Sequence, residues 1–297
     1  MTVTVLDGGM GRELARIGAP FRQPEWSALA LLDGPDWVAR VHRSFVEAGA
    51  DVLTTNSYAV VPFHLGEERF AARGRELADL AGRLARQEAD GAARPVRVAG
   101  SLPPLFGSYR PDLFDAARSP GLLAELVDGL APHVDLWLAE TQSSVAEATA
   151  AARAVAADGR ELWVSFTLRD GDGPPELRSG EPVTVAARVM QALGVTALLF
   201  NCSQPERMED AVRAARTAVP ELPLGAYANA FPEITGEHRA NDALLDIRTD
   251  LDPTGYRTFA ERWLQTGATL VGGCCGVGPE QVAALAELAG LARPPQP

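Results

Sequence analysis

Residues 194–203 read GVTALLFNCS, and this stretch carries the pattern that decides the fold. A glycine precedes an apolar run, and polar residues close it. The run lacks the alternation of polar and apolar side chains that a half-exposed strand shows. Continuous apolar runs of this length are typical of strands buried on both faces, as in a parallel sheet covered by helices.

Eight apolar runs occur along the chain, several of them nearly continuous, and segments with helical periodicity lie between them. Long connections follow several runs, at 101–120, 169–182 and 228–254, while the connections that lead into the next run are often short. Eight strand–helix units are the number that closes a barrel, so the sequence predicts a single (β/α)8 TIM barrel over residues 1–293. The predicted strands are Val3–Leu6, Asp51–Thr55, Val96–Gly100, Val134–Ala139, Leu162–Leu168, Val195–Phe200, Leu222–Tyr227 and Ala268–Gly272.

The rival fold is a doubly wound open sheet. Gly8-Gly9-Met10-Gly11 follows the first run but lacks the glycine spacing of a dinucleotide-binding loop, so the barrel is favoured. The proline-rich tail at 294–297 is predicted to be disordered. The predicted helices are Pro35–Ala48, Glu67–Glu88, Gly121–Leu130, Ser144–Ala157, Val183–Leu193, Glu206–Val219, Gly255–Gln265 and Pro279–Ala289.

Composition narrows the function classes. The 297 residues carry a formal net charge of -12, which argues against partners that need a basic face, such as nucleic acid or an anionic membrane. No apolar run is long enough to span a bilayer, and the N-terminus lacks the pattern of a signal peptide. Three cysteines make a poor disulfide framework and indicate reduced thiols, so we expect a cytoplasmic protein.

All three cysteines follow predicted strands. Cys202 comes directly after the sixth strand, and Cys274-Cys275 follows the eighth with a glycine on each side. Carboxyl ends of barrel strands meet at one mouth, where three thiolates can hold zinc in a tetrahedron with one position open for substrate. The alternatives are buried cysteines that act as small hydrophobic residues, or a strained disulfide between the adjacent pair.

A zinc held by three thiolates is a weak Lewis acid, but it is suited to take up a fourth thiolate and keep it nucleophilic. The chemistry indicated is alkylation of a substrate thiol. Asp7 and Glu140, which also follow strands, could hold an α-ammonium group, and amides near Gly8 and Gly9 could bind an α-carboxylate. The plainer interpretations are an ordinary turn at Asp7 and a helix cap at Glu140.

The chain resembles the homocysteine S-methyltransferase family over nearly its whole length, and the most specific match is the Gly-Gly-Cys-Cys-Gly segment together with one cysteine after the sixth strand. The segments that carry the resemblance are Leu6-Asp7-Gly8-Gly9-Met10-Gly11, Thr55-Asn56-Ser57-Tyr58, Val98-Ala99-Gly100-Ser101, Ala139-Glu140-Thr141, Asn201-Cys202-Ser203 and Gly272-Gly273-Cys274-Cys275-Gly276.

The resemblance implies one Zn²⁺ per chain, held by Cys202, Cys274 and Cys275. It implies that homocysteine is the methyl acceptor and methionine the product. It also implies that Asp7 and Glu140 bind the homocysteine amino group, and that Gly8, Gly9 and Thr55 line the pocket.

The segments expected around the methyl donor depart from the family's pattern. Residues 100–109 read GSLPPLFGSY where S-methylmethionine-type members tend to read Gly-Ser-Val-Gly-Pro, and Gln142-Ser143 follows Glu140-Thr141 in place of Ile-Pro. Aromatic side chains there could form a cation–π wall for a cationic donor, or they could simply anchor the loops. The candidate donor-site residues are Asn56, Phe106, Tyr109, Tyr227 and Asn229.

S-methylmethionine is the first expected donor and S-adenosylmethionine the second, with betaine or another donor as the alternative. A related thiol or a selenol remains open as the acceptor. A non-catalytic barrel that senses metal or thiol oxidation is the competing functional class. The sequence leaves the oligomeric state open.

Overall fold

The computed structural model of the protein describes residues 2–232 and 246–292. Eight strands form one parallel sheet in the order β1-β8-β7-β6-β5-β4-β3-β2. They are β1 (Thr4–Val5), β2 (Val52–Thr54), β3 (Arg97–Leu102), β4 (Leu136–Gln142), β5 (Glu161–Phe166), β6 (Ala197–Asn201), β7 (Leu224–Tyr227) and β8 (Leu270–Val271).

The two ends of the sheet meet, which makes the fold a barrel. Asp51 N–H donates to the Val5 carbonyl at 2.7 Å, and Asp7 N–H donates to the Val52 carbonyl at 3.0 Å. These bonds join the first strand to the second, and Leu6 pairs with Val52 in parallel. The predicted (β/α)8 barrel is therefore confirmed, and the open sheet is excluded.

Eleven α-helices lie in the described ranges, and the eight longest of them correspond to the predicted eight. Pro35–Ala48 has the predicted bounds, and the other seven begin or end within a few residues of the prediction. The helices are α1 (Met10–Arg16), α2 (Ala28–Asp33), α3 (Pro35–Ala48), α4 (Pro62–Leu65), α5 (Glu67–Asp90), α6 (Ser119–Leu130), α7 (Val145–Val155), α8 (Val183–Ala192), α9 (Pro205–Ala218), α10 (Pro253–Gln265) and α11 (Pro279–Ala292).

Three short helices were absent from the prediction: α1, α2 and α4. Each lies in a loop that follows β1 or β2, and each is seven residues or shorter. A helix of this length has too few turns to show a periodic pattern in sequence, and its stability comes from tertiary packing.

Local signals fix the ends of the longer helices. Ser144 begins α7 with a capping box, in which its hydroxyl accepts from Glu147 N–H and Glu147 in turn accepts from the Ser144 amide. Helix α3 ends at Gly49, whose φ of 103° lies in the left-handed region that favours glycine. These ends set where the chain turns back toward the next strand.

The core has two layers. Side chains inside the barrel form one buried cluster that includes Leu138, Leu199 and Tyr227, while a larger cluster lies between the strands and the surrounding helices. The strands are thus apolar on both faces, as the continuous runs indicated. In the described part of the chain, no helix combines the length and apolar character needed to cross a membrane.

Candidate active site

The three cysteines converge at the carboxyl end of the barrel. Their sulfur atoms all lie within 4.8 Å of one another, and Cys202 Sγ is 3.9 Å from Cys275 Sγ. Two sulfurs bound to one tetrahedral zinc at about 2.3 Å lie about 3.8 Å apart. The donor set and its spacing therefore fit a metal of this kind, and the disulfide alternative does not apply because all three thiols are free.

Each of the three thiols changes the pKa of the other two. Hydrogen bonds from the thiols of Cys274 and Cys275 lower the pKa of Cys202 well below its usual range, while the pKa values of Cys274 and Cys275 are raised. Of the three thiols, Cys202 is thus the one whose thiolate form the two others support by hydrogen bonds. Hydrogen bonding to Cys202 and burial favour the protonated form of those two thiols, and a divalent cation bound to the sulfurs would favour the ionised form instead.

Glycines allow the close packing around the adjacent pair. A Cβ atom at Gly9 would lie 2.5 Å from the carbonyl oxygen of Cys274, and one at Gly273 would lie 2.2 Å from Val277. Gly276 has a φ of 84°, which turns the chain sharply after Cys275. Tyr256 supports this turn from below, because its buried hydroxyl lies 2.8 Å from the Gly272 carbonyl and 3.0 Å from that of Ala228.

Asp7 and Glu140 both line the cavity that contains the cysteines. Asp7 accepts hydrogen bonds from Thr54 through the backbone N–H at 2.7 Å and the hydroxyl at 2.9 Å. Glu140 accepts from the Ser101 hydroxyl through Oε1. Among the described residues, no donor contacts Glu140 Oε2, so that oxygen is available to a ligand.

Burial raises the proton affinity of both carboxyl groups. It raises the pKa of Asp7 to about 7, against the hydrogen bonds from Thr54 that lower it. It raises the pKa of Glu140 to about 8, and the negative charges of Asp7 and Cys202 add to the effect. Two buried carboxylates without a cation between them are unfavourable, so the site is suited to a positively charged group.

The other residues predicted to line the pocket, Thr55, Gly8 and Gly9, line the same cavity. The Thr55 hydroxyl accepts from Ser101 N–H at 3.0 Å and lies 2.9 Å from the Ser57 hydroxyl, so it holds the end of β3. The Gly9 N–H donates to the Val277 carbonyl at 2.9 Å, so this one amide is engaged within the protein. Binding of an α-carboxylate by the other amides near Gly8 and Gly9 stays a prediction.

The donor-site candidates separate into two groups. Asn56, Tyr109 and Tyr227 line the cavity, whereas Phe106 and Asn229 do not. Phe106 packs edge-on against Phe114 with the guanidinium of Arg118 5.5 Å from its ring, and the Asn229 side chain accepts from the Phe231 amide. Loop packing accounts for these two residues, which was the alternative interpretation of Phe106.

Sequence reasoning missed several side chains at the site. Trp26 lines the cavity, and Thr54 and Ser101 hold the two carboxylates. Buried Asn201 donates to the Thr141 hydroxyl at 2.8 Å and accepts from its backbone N–H at 3.0 Å. Two signals were available: Thr54, Ser101 and Asn201 each lie at or near the end of a strand, and Ser101 and Asn201 belong to segments that carry the family resemblance.

Backbone strain is concentrated in the same place. Four non-glycine residues in the described ranges have positive φ: Trp26 at 53°, Tyr109 at 64°, Thr141 at 57° and Cys202 at 50°. All four line the cavity. Residues in this region are uncommon and persist where their surroundings hold them, often at functional sites.

The cavity is acidic. It has about 780 Å³ of space between its lining atoms, part of it open to solvent, and no Lys or Arg of the described residues lines it. Two carboxyl groups and three thiols face this space together with Trp26, Tyr109 and Tyr227. Such a lining attracts a small cationic ligand and can surround its apolar part.

Fold and site together define a class of protein: a TIM barrel with a three-cysteine cluster, able to bind a metal, at its catalytic face. The chain belongs to the homocysteine S-methyltransferase family, whose model matches residues 4–289. This membership confirms the resemblance on which the sequence-based expectations rest.

Individual relatives agree with this assignment. The chain is 32% identical to a homocysteine S-methyltransferase of Escherichia coli, across 95% of this chain and 94% of that protein. It is 27% identical to a selenocysteine methyltransferase of Astragalus bisulcatus, across 94% and 90%. The crystal structure of the metallated form of the E. coli homocysteine methyltransferase MmuM superposes with a TM-score of 0.79 at 28% identity, covering 97% of this chain and 96% of that one.

Proposed function

We propose that this protein transfers a methyl group from a cationic donor to the thiol of homocysteine, which gives methionine. The observation that carries the proposal is the placement of three convergent thiols beside two buried carboxyl groups in one acidic cavity. The thiols suit a metal that binds a substrate sulfur, and the carboxyl groups suit the ammonium group of the same substrate. Relatives named for homocysteine and selenocysteine methylation support this acceptor class.

We propose one Zn²⁺ per chain, held by Cys202, Cys274 and Cys275. The chemistry that a metal held there would supply is a lowered pKa for a fourth, substrate thiol, which would release its proton to solvent and stay nucleophilic at neutral pH. The metallated form of a relative supports a bound metal in this chain. Because the ligands must stay reduced, we place the protein in the cytoplasm.

The protein's own groups would orient the acceptor. The α-ammonium group of homocysteine would lie between Asp7 and Glu140, where its charge replaces the protons that burial favours. Thr54 and Ser101 fix the carboxylates from behind, so the ammonium enters a preorganised pair. Gly8 and Thr55 border the same space and limit where the rest of the molecule can lie.

The donor would approach from the aromatic side of the cavity. We propose S-methylmethionine first and S-adenosylmethionine second, because both carry the sulfonium charge that the acidic lining favours. Asn56 supports a donor with its own ammonium group. Its amide nitrogen donates to the Ser27 carbonyl at 3.1 Å, which leaves the buried Oδ1 without a partner among the described residues.

The test is a donor panel assayed with homocysteine, together with zinc analysis of the purified protein. S-methylmethionine, S-adenosylmethionine, betaine and a methylated folate would each be offered, and methionine would be quantified. We expect about one zinc per chain in the wild type, loss of zinc in Cys202→Ala, and turnover with a sulfonium donor. A wild-type protein without zinc and without methionine formation from any donor would favour the non-catalytic class instead.

A further inference from the structure

The hydroxyl group of Tyr109 contacts the cysteine cluster directly. Its oxygen lies 2.9 Å from Cys202 Sγ, to which it donates its hydrogen. Tyr109 belongs to the long loop after β3, and its φ of 64° is unfavourable for a bulky residue. The surrounding structure therefore holds this side chain at the sulfur in spite of the backbone strain.

An ion pair from a different loop fixes the Tyr109 ring. The guanidinium of Arg178 lies 5.0 Å from the ring centroid and bonds to Asp170 at 2.9 Å. Only 18% of the Arg178 side chain and 12% of the Asp170 side chain are exposed. The loop after β5, which carries both residues, thus packs onto the loop after β3 at Tyr109, the residue that contacts Cys202.

This arrangement restricts what Tyr109 can do. Arg178 already occupies one face of the ring, so a second cation on that face would meet repulsion. The sequence-based interpretation of Tyr109 as part of a wall for a cationic donor is therefore disfavoured for that face. The polar end of the side chain points to the sulfur instead.

We propose that Tyr109 is a positioning residue of the metal site. Its hydroxyl aims Cys202 Sγ toward the two other sulfurs and stabilises the thiolate by a charge-assisted hydrogen bond. The Arg178–Asp170 pair holds the ring in place for this purpose. The inference rests on the proposed metal site, and it assigns to this loop a role in metal binding rather than donor binding.

The experiment compares Tyr109→Phe with Tyr58→Phe. Tyr58 is the matched control, because it lines the same cavity but its hydroxyl bonds to Ser108 at 2.5 Å rather than to sulfur. Zinc affinity would be measured by competition with a chelator. The sulfur-to-metal charge-transfer band would be recorded after replacement of zinc by cobalt.

We expect Tyr109→Phe to bind zinc about tenfold more weakly, within the range found when partners of metal ligands are removed. We also expect its charge-transfer band to move to longer wavelength, since the Cys202 lone pair loses a stabilising donor. Tyr58→Phe should show neither change. Arg178→Leu should shift both quantities in the same direction by less, and it carries the test if Tyr109→Phe does not fold.

Two results would overturn the inference, and they differ in meaning. If the wild type binds neither zinc nor cobalt, the proposed metal site fails and the role of Tyr109 fails with it. If the wild type binds metal but Tyr109→Phe and Arg178→Leu match it in affinity and spectrum, the metal site stands and only the positioning role is refuted.

Discussion

Replacing Gly9 by alanine should weaken metal binding without unfolding the barrel. Gly9 follows β1 and packs against the backbone of the adjacent cysteine pair. An added Cβ atom would lie 2.5 Å from Cys274 O and 3.0 Å from Cys275 Cα, whereas ordinary contacts begin near 3.4 Å. The Cys274 carbonyl would therefore have to retreat by roughly 0.9 Å, the difference between 3.4 and 2.5 Å.

The displaced carbonyl belongs to Cys274 and is bonded to Cys275, so part of the shift must reach the sulfur atoms of both residues. Ligand distances in metal sites hold to about 0.2 Å, so a shift of this size exceeds what such a site tolerates. We expect Gly9→Ala to lose at least about tenfold in zinc affinity, which corresponds to about 1.4 kcal/mol. Overpacking of this kind costs about 1–3 kcal/mol of stability, which a barrel with so large a core should survive.

Chelator competition measures the affinity, and denaturant unfolding of the metal-free protein measures the stability. Gly121→Ala is the matched control, because nothing lies within 4 Å of a Cβ at that helical position. It should leave zinc affinity unchanged and stabilise the protein slightly. If Gly9→Ala keeps wild-type zinc affinity, the close contact does not fix the sulfur positions and the argument is refuted.

Three further predictions follow from buried polar groups. Homocysteine binding should weaken from pH 8 to pH 6, because the raised pKa values of Glu140 and Asp7 let protons compete with the ammonium group. By calorimetry, Glu140→Gln should bind homocysteine about 10–100-fold more weakly at pH 8, and its affinity should depend less on pH. Burial lowers the pKa of His42 from 6.5 to about 3, so the unfolded chain takes up a proton that the folded state refuses. The free energy of unfolding, measured by denaturant titration, should therefore fall below pH 6.5, with a slope that approaches about 1.4 kcal/mol per pH unit relative to His42→Leu. Parallel curves of unfolding free energy against pH for the two proteins would contradict this. Tyr256→Phe should lose about 1–3 kcal/mol of unfolding free energy, because the Gly272 carbonyl loses its donor; an unchanged midpoint would show that the contact is weak.

The barrel could be predicted because its strands are buried on both faces. Apolar runs such as Val195–Phe200 indicate such strands without any knowledge of their neighbours in space. The number of these runs, eight, indicates that the sheet closes into a barrel. The cysteines could be placed for the same reason, since any residue directly after a parallel strand lies at one end of the barrel. Cys202 and Cys275 meet across that end although 73 positions separate them.

Contacts between loops could not be predicted in this way. Phe106 and Tyr109 are three residues apart in one loop, yet one packs against Phe114 and the other against Cys202. No periodic pattern orients side chains in an irregular segment, and the partner Arg178 belongs to a loop about 70 residues away. The supporting roles of Thr54 and Asn201 were missed because they depend on which strands are neighbours in space.

The strained backbone at the cavity shows how the barrel supports the site. Each non-glycine residue in the left-handed region costs about 1–3 kcal/mol of conformational free energy. The total for four such residues is comparable to the net free energy of unfolding of a typical domain. Such strain persists only if the alternatives cost more. At Thr141 the alternative would break two hydrogen bonds to buried Asn201, and at Cys202 it would withdraw the sulfur from the hydroxyl of Tyr109. The rigid apolar core below thus stabilises a loop geometry that the loop sequences alone would not adopt, and this geometry brings the three sulfurs and two carboxyl groups together.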